Sequence, residues 1–577
     1  MNELSIRLGK RSLTRARNCS VGAALLGAVI SATVPFPASA AFPPSAEGST
    51  IAVATDHAYA TQAALEILHS GGNAFDGAIA AALTLGVVNP TASGLGGGGF
   101  ALVYVAKDKK VIALDFREAA PAQLDVEKML TKNQPARGLA IGVPGEPAGL
   151  EWLSVHYGKK SLAADALPAA QLANTGFFVG HHLAMGVDRF QKYIAVSPEI
   201  SKIFIPNGRP VEYRSTLRRP DLARTIFRFG TDGAKPFYTG DVAAKIVESA
   251  RAAGGTLSAS DLAGYKVHER APLTKTVDGR TIATMPAPSA GGLMLLETLG
   301  MYGANSSSPL ASMGFGSSAY LHTIAEVMRG AIADRVRLAS DPEVDPGVVA
   351  AYEHALATEQ LAARRARIEP SKVKLAPEFK TQESGTSHLI VSDAEGNVVS
   401  LTTTVNGPFG ARVMAGDTGI VLNDELTDFS SAQDIMGFGV IGLGPNRPRP
   451  GARPVSSMTP VIVLENGVPI LAAGGSGGQR IATGVTQATL SRLIFGMDAA
   501  ACVSAPRIFV SGATPEILVE SEVAEDVRAG LRNRGEVVKD EQMPFSAVQM
   551  VVWDRKGSST RIFSASDPRK LGLAAAQ

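Results

Sequence analysis

Two cysteines in 577 residues, Cys19 and Cys502, exclude a disulfide-stapled fold, and stability must come from a large apolar core. Cys19 falls inside an N-terminal leader, so a chain that loses the leader keeps one thiol and no internal disulfide. Aromatic residues are sparse at 6%. Neither a basic tail nor a like-charge block is present, which removes the electrostatic footprint of a nucleic-acid binder. The nine histidines are scattered, and the neighbours His181 and His182 lack the spacing to cysteine or carboxylates that a zinc site needs, so no metal is expected. The glycine run Gly96–Gly99 lacks the G-x-G-x-x-G spacing and any following Lys-Ser/Thr, so it reads as a close backbone approach and not a nucleotide loop; no cofactor is expected. Past the leader, no run is apolar and long enough to cross a bilayer.

The leader itself has a basic start, an apolar run from Val21 to Val34 and the small-residue site Ala38-Ser39-Ala40, the build of a secretory signal over residues 1–40. Its apolar run is shorter than a span and ends at Pro35 and Pro37, which favours cleavage over anchoring. Export to the periplasm or the exterior follows, with no membrane attachment once the signal is gone. Formal charge is +2 for the whole chain, and removing the leader's five basic residues and Glu3 leaves about −2.

Helical spacing marks 61–70, closed by Gly71-Gly72, and a buried helix over 77–86. Strands are expected at 101–105 and 110–115, joined by the polar turn 106–109. Residues 150–380 read as mostly helical, with 241–252 and 320–338 the most periodic. Beyond 386 the pattern returns to strands: a hairpin over 388–405 turning at Glu395-Gly396, then 461–464 and 470–471, followed by helices at 485–495 and 523–535. Composition and periodicity alone give an α plus β class.

One tetrapeptide carries chemistry. Gly385-Thr386-Ser387-His388 follows the polar segment Gln382-Glu383-Ser384 and opens the apolar run of the hairpin. A threonine hydroxyl needs a base within hydrogen-bond reach, and a threonine that becomes the first residue of a chain has its own α-amine for that purpose. By itself, Gly-Thr ahead of a strand marks a turn.

A set of further blocks changes the weight of that tetrapeptide. These are Asn89-Pro90 with Leu95-Gly96-Gly97-Gly98-Gly99-Phe100, Asp115-Phe116-Arg117-Glu118-Ala119-Ala120-Pro121, Gly142-Val143-Pro144-Gly145 and Pro286-Ala287-Pro288-Ser289-Ala290-Gly291-Gly292. Arg453-Pro454-Val455-Ser456-Ser457-Met458, Gly475-Ser476-Gly477-Gly478-Gln479-Arg480 and Ser566-Asp567-Pro568-Arg569 complete it. In this order, from about residue 49 to the C-terminus, the chain resembles the gamma-glutamyltranspeptidases, a family of N-terminal nucleophile hydrolases.

The resemblance implies a four-layer αββα sandwich formed jointly by two subunits cut from one precursor, a large subunit 41–385 and a small subunit 386–577, held together as a heterodimer. It makes Thr386 the nucleophile, first against the Gly385 peptide bond and then against a substrate amide, with Thr404 supporting it. The backbone amides of Gly477 and Gly478 become the oxyanion hole. Arg117, assisted by Ser456 and Ser457, binds the substrate's α-carboxylate; Glu425 and Asp428 hold the α-ammonium on the opposite side, and Asn406 also contacts the substrate. The expected activity is cleavage of γ-glutamyl amides such as glutathione through a γ-glutamyl-threonine ester, with water or an amino acid as acceptor.

Three departures from the family pattern stand out: Asp424 and Thr427 where Asn and Asp are common, Ser387 where a second threonine is common, and Phe438 where a lid-closing tyrosine is common. Two alternatives remain. A glutaryl amidase of the same fold, as in cephalosporin acylases, is disfavoured by the presence of the ammonium-binding acids. An unprocessed, inactive binding protein would run as one full-length band.

Overall fold

The computed structural model describes residues 44–130, 136–376, 385–430, 444–541, 546–557, 559–570 and 572–577. The leader over 1–40, the polar residues Gln382-Glu383-Ser384 and Phe438 lie outside the described residues.

Fourteen strands build two seven-stranded sheets. In chain order they are β1 (Ala46–Gly48), β2 (Ala52–Thr55), β3 (Gly98–Val105), β4 (Lys110–Phe116), β5 (His268–Arg270), β6 (Leu273–Val277), β7 (Arg280–Thr284), β8 (Gly385–Ser392), β9 (Val398–Asn406), β10 (Val461–Glu465), β11 (Val468–Ser476), β12 (Ala547–Lys556), β13 (Ser559–Ser566) and β14 (Leu573–Ala576). The first sheet runs β14-β2-β8-β9-β3-β4-β5 and the second β1-β13-β12-β11-β10-β7-β6, every pairing antiparallel.

Strand periodicity sorts the first sheet's side chains into two cores. Phe100, Leu102 and Tyr104 of β3, with Ile390 of β8 and Val398 of β9, enter a core shared with the second sheet. Their sequence neighbours Ala101, Val103 and Val105, with Leu389, Val391, Val399 and Leu401, pack outward against the helices α1 (Ala58–His69) and α2 (Ala74–Val88). The second sheet's far side is covered by α3 (Gly291–Tyr302), α4 (Ser318–Leu338) and α5 (Ile481–Leu493). The result is the αββα order, helix layer on sheet on sheet on helix layer.

Local signals explain the helix ends. Asn73 caps α2 by accepting from the Phe75 and Asp76 amides, while Asp76 returns a bond to the Asn73 amide, a capping box. The helix starts at Ala74, three residues ahead of the expected 77, because this cap precedes the apolar run. All fifteen of its residues are buried, consistent with an apolar sequence on every face. The region 150–380 is mostly helical as expected, yet it also contributes β5, β6 and β7, which extend both sheets. No helix among the described residues is long and apolar enough to cross a membrane.

Candidate active site

Thr386 is the second residue of β8, a central strand between β2 and β9, and its side chain lies on the face that looks toward the other sheet. Across the ladder Thr386 pairs with Thr404, and a bulge separates Gly385 from Thr386. The two hydroxyl oxygens are 3.3 Å apart. Thr404 also donates to the Gly385 carbonyl at 2.6 Å and accepts the Asn406 amide at 2.8 Å. With the Thr404 proton committed to that carbonyl, the Thr386 hydroxyl donates in the pair. Glycine is required at 385, since a Cβ there would stand 2.1 Å from the Thr91 carbonyl oxygen.

The glycine run packs as a close approach. A Cβ on Gly97 would meet the Thr404 carbonyl at 1.8 Å and one on Gly99 the Thr402 carbonyl at 2.0 Å, so these glycines let β3 close on β9 beside Thr386.

A small cavity of about 30 Å³ opens beside Thr386. Nine of the ten residues expected at the site line it: Thr386, Thr404, Arg117, Asn406, Glu425, Asp428, Ser456, Ser457 and Gly478. Gly477 does not; it sits one residue behind with φ of 125°, packed so that a Cβ would be 2.7 Å from Ser546. Gly478, also at positive φ, carries the chain from β11 into a short turn and then α5, whose first residue Ile481 lines the cavity. The amino end of α5 thus brings its partial positive charge to the cavity wall.

Arg117 follows β4 and is 1% exposed. Its guanidinium pairs with Glu425 and, at 2.7 Å, with Asp428, while Nε donates to the Pro454 carbonyl at 3.2 Å. Its partners lie 308 and 311 residues away on the turn Glu425–Asp428. One sequence expectation is corrected: the acids do not face the arginine from an opposite wall but neutralise it directly, since a buried guanidinium demands carboxylate partners. Burial works to lower the Arg117 pKa, but the Glu425, Asp428 and Glu118 charges override it and the net shift is upward. Burial lifts Glu118 to about 7 and Glu425 well above the usual carboxylate range, with Arg117 opposing in both.

Asn406, at φ of 67°, directs its amide to Thr427 Oγ1 at 3.0 Å and Asp428 Oδ1 at 3.3 Å. Thr427 therefore holds Asn406. Asp424 accepts the Gly407 amide at 2.7 Å, and burial raises it to about 6. Ser456 Oγ accepts the Met458 amide at 3.0 Å, which fixes the bend that turns both serines toward the cavity. Ser387, on the other face of β8, bonds Asn89 and Ser93 at 2.9 and 3.0 Å, so it anchors the strand to the end of α2.

Sequence reasoning missed Arg335, Gln479, Met458 and Ile481. Arg335 projects from α4 and donates to the Ser456 carbonyl at 2.6 Å; burial lowers its pKa to about 10. Its only sequence signal was a position on a periodic helix. Among the described residues no group of His, Cys, Asp or Glu is arranged to hold a metal. His388 is buried between Thr402 and Ser400, and burial lowers it to about 3, which keeps the ring neutral.

Comparison with known proteins agrees with this arrangement. The family described as Gamma-glutamyltranspeptidase matches residues 60–577. Glutathione hydrolase 2 of Arabidopsis thaliana is 34% identical over 556 residues, covering 90% of this chain and 93% of the relative. The glutathione hydrolase proenzyme of Escherichia coli (strain K12) is 33% identical, covering 90% of each chain. Among solved structures, cephalosporin acylase from Bacillus halodurans aligns with a TM-score of 0.81 at 26% identity, over 94% of this chain and 99% of that one. Helicobacter pylori gamma-glutamyltranspeptidase aligns at 32% identity with a TM-score of 0.51, over 55% of this chain and 91% of that one. With a nucleophile candidate at the head of a central strand, an αββα frame and near full-length matches, the chain belongs to the gamma-glutamyltranspeptidase family.

Proposed function

We propose that this chain is an exported, self-processing gamma-glutamyltranspeptidase that acts as a glutathione hydrolase. The observation that carries the reading is the contact set of Thr404, which touches the Thr386 hydroxyl at 3.3 Å and the Gly385 carbonyl at 2.6 Å at the edge of a cavity holding Arg117 and Asp428.

In maturation, Thr386 Oγ1 attacks the Gly385 carbonyl carbon and gives up its proton, while Thr404 donates to the oxygen that gains charge. The peptide C–N bond breaks as the nitrogen takes a proton, leaving an ester between Gly385 and Oγ1. That break frees the Thr386 α-amine, and water then hydrolyses the ester, which releases the Gly385 carboxylate and restores the Thr386 hydroxyl. Large subunit 41–385 and small subunit 386–577 remain one folded heterodimer after loss of the signal 1–40.

In turnover the α-amine, near ~8 in its ordinary state, takes the Oγ1 proton as the hydroxyl attacks the γ-carbonyl of the donor. The Gly477 and Gly478 amides receive the oxyanion, each such donor being worth roughly 3 kcal/mol. Arg117, Ser456 and Ser457 take the α-carboxylate, Asp428 and Glu425 the α-ammonium, and Asn406 steadies Asp428. Substrate binding exchanges the internal pairs of Arg117 for pairs to a zwitterion, which keeps every buried charge partnered. Water or an amino acid then resolves the γ-glutamyl ester.

The test is direct. Purified wild type should give a small subunit whose mass begins at Thr386, Thr386→Ala should stay a single chain, and γ-glutamyl anilide should be cleaved faster than glutaryl anilide. The structural likeness to a cephalosporin acylase favours a second reading, glutaryl amide hydrolysis, which the same substrate pair decides. A single unprocessed band from wild type would leave only the binding-protein reading.

A further inference from the structure

The carbonyl of Thr386 has an unusual partner. In β8 the backbone groups of His388 face β2: its carbonyl accepts the Asp56 amide at 3.2 Å and its amide donates to Asp56 Oδ2 at 3.2 Å. Two residues earlier, the amide and carbonyl of Thr386 point the same way by strand periodicity. β2 has already stopped at Thr55 and the chain turns into α1 at Ala58, so no ladder donor stands opposite. Lys570 occupies that place, its Nζ 2.5 Å from the Thr386 carbonyl oxygen and 3.1 Å from Asp56 Oδ2. Asp56 is fully buried in turn, its Oδ1 accepting Gln549 Nε2 at 2.7 Å.

We propose that Lys570 is a positioning residue of the reaction: its ammonium fixes the peptide plane of the nucleophilic residue and keeps the nascent α-amino group of Thr386 in the unprotonated, basic form. Standard bond lengths put a residue's own N and O within about 3.5 Å of each other, so the Lys570 charge lies no more than about 6 Å from that nitrogen. A like charge at this range in a partly buried site disfavours the protonated amine. Asp56 offsets part of the effect without cancelling it, because Lys570 is the group in direct contact with the nucleophile residue.

Other charged groups around this nitrogen are accounted for. From the start of α1, His57 is held neutral by burial, down to about 4. His182, on the helix His181–Arg189, faces Lys570. Arg569, next in the chain, is tied to Glu520 and Asp567. On the cavity side, Arg117 is paired with Glu425 and Asp428, Arg335 lies beyond them, and Arg480 is paired with Glu541. Among these groups, Lys570 is the one that bonds the Thr386 backbone, and Asp56 is its counter-charge.

This inference rests on Thr386 being the N-terminal nucleophile, and the two can fail separately. The mass of the wild-type small subunit reports on Thr386; the acid limb of kcat/KM against pH, measured with a γ-glutamyl anilide, reports on Lys570. Lys570→Met removes the like charge and leaves Asp56 unopposed, so the acid limb should move up by about 1 pH unit, with the lost activity recovered at high pH. Lys570→Arg keeps the charge and should restore the wild-type limb. Asp56→Asn removes the counter-charge and should move the limb the other way, downward. A structural role for the pair predicts rates that fall evenly at all pH values. An unmoved limb in Lys570→Met, or limbs moving in the same direction in the Met and Asn variants, overturns the proposal. Should Lys570→Met accumulate as precursor, Asp56→Asn decides alone, and an acid limb that stays or rises overturns it. A small subunit beginning elsewhere than Thr386 overturns both readings.

Discussion

Replacing Asp428 with asparagine is the sharpest probe of what the cavity recognises. The side chain keeps its shape and loses one charge, one that is 27% exposed where its partner Arg117 is 1% exposed. A γ-glutamyl group and a glutaryl group share the distal carboxylate and differ in the α-ammonium, so Arg117 serves both and Asp428 serves one. Truncating one side of a buried charge pair costs roughly 2 to 5 kcal/mol, and the partial exposure of Asp428 places it in the lower half, about 2 to 3 kcal/mol. That is about a 30- to 150-fold fall in kcat/KM for the γ-glutamyl anilide. The glutaryl anilide should change by less than about threefold, since Glu425 still neutralises Arg117 and the lost ligand group was never present. Processing should be complete on a denaturing gel, because Asp428 takes no part in attack on Gly385. Steady-state rates on the two anilides, with wild type and variant side by side, give all four numbers. If the variant lowers both substrates equally, or leaves the γ-glutamyl rate within threefold, Asp428 does not read the ammonium and the acylase reading gains.

Thr404→Val removes the donor to the Gly385 oxygen and should slow precursor cleavage by roughly 10² or more, with Thr404→Ser restoring it; band intensities over time measure this. Gly385→Ala drives a Cβ to 2.1 Å from the Thr91 carbonyl and should accumulate precursor on the same gel. Asp165 is fully buried with neither oxygen hydrogen-bonded, and burial, helped by the nearby Asp76 charge, lifts it from 3.8 to about 8. Between those values the unfolded carboxyl is ionised and the folded one protonated, so the folded state holds more protons and stability falls as pH rises through that window. Asp165→Asn removes this dependence, and its melting temperature should exceed wild type by about 2–4 °C at pH 8 while nearly matching it at pH 4.

The sequence showed elements wherever one face was buried and one was not, or where a turn residue broke the run. The hairpin of β8 and β9 about Glu395-Gly396 and the periodic α4 are such cases. The hairpin of β12 and β13 escaped, because Ala547 to Trp553 is buried on both faces, and a run that is apolar apart from the buried Gln549 has no alternation to separate strand from helix. β2 escaped through its length of four residues. At the site, the ordered blocks supplied residues that now line one cavity, but no spacing could reveal a salt bridge spanning 308 residues or the pairing of acids and arginine on the same side. Arg335 carried no motif, and its place at the cavity depends on which face of α4 meets the Ser456 bend. Lys570 sits beside a recognised block, yet its contact with Thr386 exists only because β2 stops at Thr55.

Sheet order also constrains when the proposed cut is made. A break before Thr386 assigns β8 to β14 to one subunit and β1 to β7 to the other, and both sheets then alternate between them. In the first, β2 of the large subunit lies between β14 and β8 of the small one, and β9 pairs with β3; in the second, β1 and β7 flank the block β13 to β10. Neither fragment can complete a sheet alone, so the contacts that align Thr386, Thr404 and Gly385 exist only once the whole chain has folded. Folding therefore precedes cleavage, and cleavage needs no later rearrangement of the ladders. The proposed cut lies at the first residues of β8 and leaves Leu389 to Ser392 bonded to β2 on one side and β9 on the other. A new N-terminus held on both sides in this way keeps the Thr386 amine at the cavity instead of releasing it to solvent, and the bulge between Gly385 and Thr386 marks the point where the regular ladder ends and the chemistry begins.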